Sequence, residues 1–222
     1  MKIKDNSLIL VPLYNEEKSL KHLIPQLKII NKNGVVFIND GSKDNTKDII
    51  EKHRYSIINI DSNQGKGNAI SAGTHYALKQ KNTWIITIDG DLQHPPEMIP
   101  EFDDDGKIEI KLGWRKNKDT MPIFRKFSNV VTSLLLSIRS NTLIKDSQCG
   151  YRGFPANIYI KCKNREPGFH MESEFLIKAS LLGVSIKHVE IPTIYNDSES
   201  SMNYFPDLIK FISLWFKSFL WT

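Results

Sequence analysis

Apolar and polar positions along the chain follow two periods. Short β-branched runs at residues 8–13, 35–38, 56–60 and 84–88 have strand length and read as buried strands. Between them, residues 17–30, 45–53 and 66–78 read as helices; Leu20, Leu23, Ile24 and Leu27 make one apolar stripe on the first. Asp44 stands where an N-cap of the second belongs. Buried strands alternating with amphipathic helices predict an α/β fold, a mostly parallel sheet with helical crossovers. After about residue 105 the pattern changes. Residues 108–113 read as a further strand, and 122–138 as a helix with Phe124, Phe127, Val131, Leu134 and Ile138 on one side. Residues 169–182 read as a helix closed by Gly183. Residues 184–195 alternate like a strand, and Pro192 within them implies an edge or a bend. Residues 204–221 read as a last helix, with Asp207, Lys210, Ser213 and Lys217 in a narrow polar stripe. Nearly every other position there is apolar, including Phe205, Phe211, Trp215, Phe219 and Trp221.

Three strands run into carboxylates: 35–39 into Asp40, 57–60 into Asp61 and 84–88 into Asp89. In open parallel sheets, ligands sit beyond the carboxyl ends of the strands, where helix N-termini also gather and favour anions. One such Asp reads as a helix cap; three at successive strand ends read as a site.

Composition narrows the class. The 222 residues are 40% hydrophobic and 25% charged, which excludes a disordered tail, a collagen-like chain and a disulfide-stapled miniprotein. The longest apolar run falls short of the ~18–20 residues needed to cross a bilayer, and the N-terminus lacks a signal-peptide pattern. Two cysteines, Cys149 and Cys162, make neither a framework nor a zinc spacing, which fits a reducing, cytoplasmic compartment. The net charge of +5 is uneven: residues 1–111 carry 15 basic and 16 acidic side chains, residues 112–222 carry 15 and 9. The second half is therefore the one suited to an anionic partner.

The most informative segment is Ile88-Asp89-Gly90-Asp91-Leu92-Gln93-His94-Pro95-Pro96. A buried strand delivers two carboxylates, spaced i and i+2, with Gly90 between them allowing close approach of a ligand. Hard oxygen ligands suit Mg²⁺ or Mn²⁺ held jointly by carboxylate and phosphate, so Asp89, Asp91 and the Gln93 amide are candidate metal ligands. A phosphohydrolase with Asp89 as nucleophile, or a non-catalytic binding module, would also use such an element. Neither an RNA-binding aromatic motif nor a helix-turn-helix is present, and acidic strand ends repel bare phosphates, so no nucleic-acid partner is expected.

Three further segments set the context: Val11-Pro12-Leu13-Tyr14-Asn15-Glu16-Glu17 leaves the first strand, Asn39-Asp40-Gly41-Ser42-Lys43-Asp44 the second, and Asn63-Gln64-Gly65-Lys66-Gly67 opens the third helix. Together with Asp-Gly-Asp-Leu-Gln-His-Pro-Pro they resemble glycosyltransferase family 2, over roughly residues 7–195. Within it the similarity is to the dolichol-phosphate mannosyltransferase and polyprenyl-phosphate subgroup. The resemblance implies a GT-A fold, a nucleotide-sugar donor and Mg²⁺ or Mn²⁺. It divides the chain into a catalytic domain at 1–203, with a donor half at 1–105 and an acceptor half at 106–203, followed by a C-terminal amphipathic helix at 204–222. By resemblance, Pro12, Tyr14, Glu16 and Asp40 line the nucleoside pocket. Lys66, Asp89 and Gly90 join them in binding the donor, and Asp91 is the foremost metal ligand. Arg115, in Leu112-Gly113-Trp114-Arg115, and Arg125 match positions that face the acceptor phosphate. Asp146 opens a block, 146–154, that shapes the acceptor side.

A lipid phosphate acceptor needs no general base, because a phosphate monoester is largely deprotonated at pH 7. A sugar hydroxyl needs one, and Asp146, Glu172 and Glu174 are the candidates. Glu172 and Glu174, two apart on a helix, cannot share a face, so one of them is expected at the surface. The basic second half and the aromatic last helix favour the lipid, a position on the cytoplasmic face of a membrane, and room for a membrane partner subunit. One departure stands out: residues 195–202 lack the arginine that relatives carry in the loop closing over the donor.

Overall fold

The early runs of Val, Ile and Leu become the centre of the sheet. In the computed structural model, which describes residues 3–30, 32–116, 121–164, 166, 170–194 and 204–221, the donor-side half alternates strictly. Its elements are β1 (Ser7–Leu13), α1 (Glu17–Leu27), β2 (Val35–Asp40), α2 (Thr46–Lys52), β3 (Ser56–Ile60), α3 (Lys66–Lys79) and β4 (Trp84–Thr87). The second half contains β5 (Glu109–Arg115), α4 (Ile123–Ser140), β6 (Arg152–Pro155), α5 (Ala156–Cys162), α6 (His170–Leu181), β7 (Ser185–Ile191) and α7 (Tyr204–Lys217). The seven strands form one sheet in the order β3-β2-β1-β4-β6-β5-β7. All neighbours are parallel except β6, which runs antiparallel to both β4 and β5. This is the mostly parallel, helix-flanked architecture that the pattern predicts.

Both faces of the central strands are covered, which is why they read as unbroken apolar runs. Leu8, Leu10, Val36, Ile38 and Ile85 pack with Ala69, Ile70 and Ala77 of α3 on one face. Ile9, Val11, Val35, Phe37 and Ile86 pack with the Leu20, Leu23, Ile24 and Leu27 stripe of α1 on the other.

Several expectations shift. Helix α1 stops at Leu27 rather than residue 30, with Pro25 in its last turn. Asp44 is not the N-cap of α2; Asn45 holds that position. The Asp44 carboxylate instead accepts the backbone N–H of Glu17 at 3.1 Å and of Thr46 at 3.0 Å, tying the N-termini of α1 and α2 together. Strand β3 is an edge with Ser56 and Asn59 exposed and its three isoleucines half-buried, not a buried strand. Strand β7 is the opposite edge and ends at Ile191, immediately before Pro192. The pattern did not predict β6 or α5. Phe169, Tyr195 and the loop 196–202 lie outside the described residues.

Candidate functional site

The carboxyl ends of β1, β2 and β4 open on a cleft of about 1350 Å³. It is lined by Pro12, Tyr14, Glu16, Asp40, Lys66, Asp89, Gly90, Asp91, Gln93 and Arg125 among the residues singled out in the sequence. Asp61 is exposed and lies apart from this lining.

Each wall has a local cause. The β1–α1 turn passes through Asn15 at φ +56°, a left-handed position that Asn tolerates. Its side-chain oxygen accepts the N–H of Lys43, and its own N–H reaches the Ser42 hydroxyl, so the β1 and β2 turns are fixed to one another. Asp40, buried at the end of β2, accepts the N–H of Gln64 at 3.0 Å and of Gly65 at 2.7 Å, at the start of α3. That carboxylate ties down the turn that leads into α3 while lining the cleft, so it belongs to the site and caps no helix. Tyr14 is exposed at the lip.

The Asp-Gly-Asp turn after β4 is strained. Leu92 sits at φ +64°, a conformation that costs a branched residue energy and clusters at functional sites. The Gln93 N–H bonds to Asp91 Oδ1 at 3.0 Å, holding the turn. Gly90 is needed for packing: a Cβ there would collide with Leu13 and approach Glu16 Cγ to 3.5 Å.

The two aspartates differ in partners and in protonation. Asp89 Oδ1 lies 2.6 Å from Lys66 Nζ, and the same ammonium lies 3.1 Å from Glu172 Oε1. Burial alone would raise the Asp89 carboxyl, but Lys66 outweighs it and holds the group well below the usual carboxylate range. Burial would lower Lys66, and Asp89 and Glu172 together raise it above its ordinary value. Asp91 moves the other way: burial and the adjacent Asp89 charge both raise it. His94 Nδ1 accepts the Asp89 N–H at 2.9 Å, so that nitrogen carries no proton, in keeping with a pKa lowered by burial. Its 3.8 Å approach to the Asp89 carboxylate is therefore a contact, not an ion pair.

Gly150 makes the Lys66–Asp89 pair possible. A Cβ at 150 would overlap Lys66 Nζ and come within 2.5 Å of Asp89 Oδ2. Gly150→Ala is expected to cost roughly 1–3 kcal/mol through overpacking, read as a shift in the urea midpoint. An unchanged midpoint would mean that the pair moves aside freely.

The far wall comes from the second half: Arg125, Ser128 and Thr132 of α4, Gln148, Glu172 of α6, and Asp207, Leu208 and Phe211 of α7. Arg115 and Asp146 do not line it. Arg115 Nε and Nη2 donate to Asp146 at 2.8 and 2.9 Å, a buried bidentate pair that also takes the Asn129 side-chain N–H at 2.6 Å. Asp146 is wholly buried. Glu172 and Glu174 do point apart, yet neither is at the surface, contrary to expectation. Glu172 faces Lys66, and Glu174 pairs with Lys178 at 2.6 Å and accepts the Glu166 N–H at 2.8 Å. The Lys66–Glu172 bridge escaped the sequence reading because its partners lie in different motifs, far apart in the chain.

Among the described residues, no three His, Cys, Asp or Glu side chains converge on one point. Asp91, raised by burial and a neighbouring negative charge, suits a divalent cation whose other oxygens come from bound phosphates and water.

Comparison with known proteins places this geometry. The profile of glycosyl transferase family 2 matches residues 8–153. An uncharacterized protein of Methanocaldococcus jannaschii is 32% identical, covering 87% of this chain and 90% of its own length. The UDP-N-acetylglucosamine–dolichyl-phosphate N-acetylglucosaminyltransferase of Methanococcus voltae is 28% identical over 85% of this chain and 86% of its own. Among solved structures, glucosyl-3-phosphoglycerate synthase from Mycobacterium tuberculosis in complex with UDP superposes with a TM-score of 0.73, at 16% identity, over 96% of this chain and 79% of that one. The same synthase with Mn²⁺ and UDP-glucose gives 0.67, at 14% identity, over 96% and 77%.

Proposed function

The chain belongs to glycosyl transferase family 2 and is a glycosyltransferase, and from that premise we propose that it moves a sugar from a nucleotide-sugar donor to a polyprenyl phosphate. One observation carries the choice of acceptor. The three carboxylates that could serve as base for a hydroxyl acceptor are each held by a basic partner: Asp146 by Arg115, Glu172 by Lys66, Glu174 by Lys178. An acceptor that brings its own negative charge needs none of them. The name of the Methanococcus voltae relative, a dolichyl-phosphate transferase, supports the same reading.

The donor nucleoside would lie along Pro12, Tyr14 and Asp40, with its diphosphate toward Gly90 and Asp91. Asp91, with Gln93 beside it, would hold Mg²⁺ or Mn²⁺, which supplies charge neutralisation at the departing nucleoside diphosphate. The fold neighbour solved with Mn²⁺ and UDP-glucose supports that assignment. Lys66 keeps Asp89 ionised and fixed at the cleft floor. Arg125 on α4 orients the acceptor phosphate, whose oxygen attacks the anomeric carbon with inversion. Asp89 is bound to Lys66 and positioned by His94, which disfavours it as the nucleophile of a hydrolase. The donor half, acceptor half and last helix then work as one peripheral enzyme on the cytoplasmic face of a membrane, with or without a membrane subunit.

The test is transfer of label from UDP-glucose, UDP-N-acetylglucosamine or GDP-mannose to polyprenyl phosphate in detergent. Label is expected in the organic phase, and a chelator should abolish it. Release of nucleoside diphosphate only when saccharides replace the lipid would overturn the acceptor.

A further inference from the structure

Helix α4 is built inside out. Its inner side is mostly small and polar: Ser128, Asn129, Thr132, Ser133 and Ser140 are buried there beside Leu136. They bond within the helix and to the 146–148 loop; Ser133 Oγ accepts the Ser147 N–H at 3.0 Å, and Gln148 Nε2 donates to Ser128 Oγ at 3.0 Å. Its outer side is apolar: Ile123, Phe124, Phe127, Val130, Leu134 and Ile138 are 54–82% exposed. Five of these recur three or four apart over residues 123–138, so they make one stripe about 23 Å long.

Helix α7 and the turn after it carry a second stripe. Phe211 and Leu214 pack into the core, as a helix lying on a protein should, yet Ile209, Ile212, Phe216, Phe219 and Leu220 remain exposed. The two helices are joined edge to edge. Trp215 Nε1 donates to the Leu135 carbonyl at 2.7 Å, Arg139 bonds Ser218, and Arg139 stacks 4.9 Å over the Phe219 ring. These joining residues border both stripes, so the stripes form one surface. Of the 18 exposed large apolar side chains among the described residues, 11 lie on it. A patch of that size marks an interaction site.

Charge selects the occupant. Helix α4 carries Arg125, Lys126 and Arg139 with no acidic residue, and α7 carries Lys210 and Lys217 against its own Asp207 and the neighbouring Glu166, so the surround is basic on balance. An apolar face with a basic surround suits anionic lipid headgroups. We infer that the joint α4–α7 face seats the protein on an anionic bilayer, with the cleft that both helices line held against the headgroups. Docking itself is independent of the acceptor proposed above; only the delivery of lipid phosphate to Arg125 rests on that reading.

Flotation with phosphatidylglycerol–phosphatidylcholine vesicles lacking polyprenyl phosphate tests it. The full chain should float, less so with neutral vesicles. Phe127→Glu with Leu134→Glu, and separately Ile212→Glu with Phe216→Glu, should each cut the floated fraction at least about tenfold. Ile108→Glu, exposed at the other end of the sheet, should not change it. Unaltered UDP or GDP binding with Mn²⁺ in lipid-free buffer certifies each variant as folded. Flotation of the doubly substituted chains at the parent level overturns the inference. So does a parent dimer by light scattering that the Phe127/Leu134 variant loses, which would give the face to a second copy. A parent that floats but does not glycosylate polyprenyl phosphate overturns the acceptor and leaves the docking in place.

Discussion

Replacing Asp91 with alanine is expected to lower sugar transfer at least about a thousandfold with little loss of stability. The asymmetry within the Asp-Gly-Asp turn is the reason. Asp91 faces the cleft, and its local bond to the Gln93 N–H costs about 1 kcal/mol to lose. Its carboxyl is raised by burial and by Asp89, a destabilised charge that a bound cation would relieve. Asp89 differs: its removal leaves the buried Lys66 ammonium facing Glu172 alone, so Asp89→Ala should lose stability together with activity. Transfer rates across a Mn²⁺ series, with urea midpoints alongside, separate the two. An Asp91→Ala enzyme within tenfold of the parent would remove this residue from the metal site.

The largest effect on stability should come from Asp146→Ala, about 3–5 kcal/mol. The substitution takes the bidentate carboxylate from the buried Arg115 guanidinium and the 2.6 Å acceptor from the Asn129 amide. Asp146→Asn keeps the shape and loses the charge, so it should fall between parent and alanine variant. Denaturant melts of all three check this. If Asp146→Ala instead melts like the parent while transfer collapses, the carboxylate belongs to the chemistry after all.

The sequence carried the donor side of this molecule well and the acceptor side less well, for a physical reason. Strands β1, β2 and β4 are buried on both faces, so their apolar runs stand out, and the carboxylates at their ends fall where a parallel sheet must bind ligands. Strand β6 is four residues long and contains Arg152, Gly153 and Pro155, which leaves no alternation to find. Arg115 and Asp146 each sit in a recognisable motif, but their mutual pairing spans 31 residues and is a product of the fold. The apolar stripe of α4 was visible as periodicity. Its outward direction was not, because a helical wheel gives the stripe but not the side on which the protein lies.

The antiparallel insertion of β6 also sets an order of assembly. Residues 84–87 pair with residues 152–155, so β4 leaves the ribosome long before the strand that covers its free edge. Strand β5 cannot cover it, since its partners are β6 and β7. At roughly 5–20 residues per second, the nascent β3-β2-β1-β4 sheet waits several seconds with an unpaired edge beside Ile85 and Ile86. Demand for a chaperone during synthesis should therefore peak while residues 88–155 are being added, and end when that short strand docks.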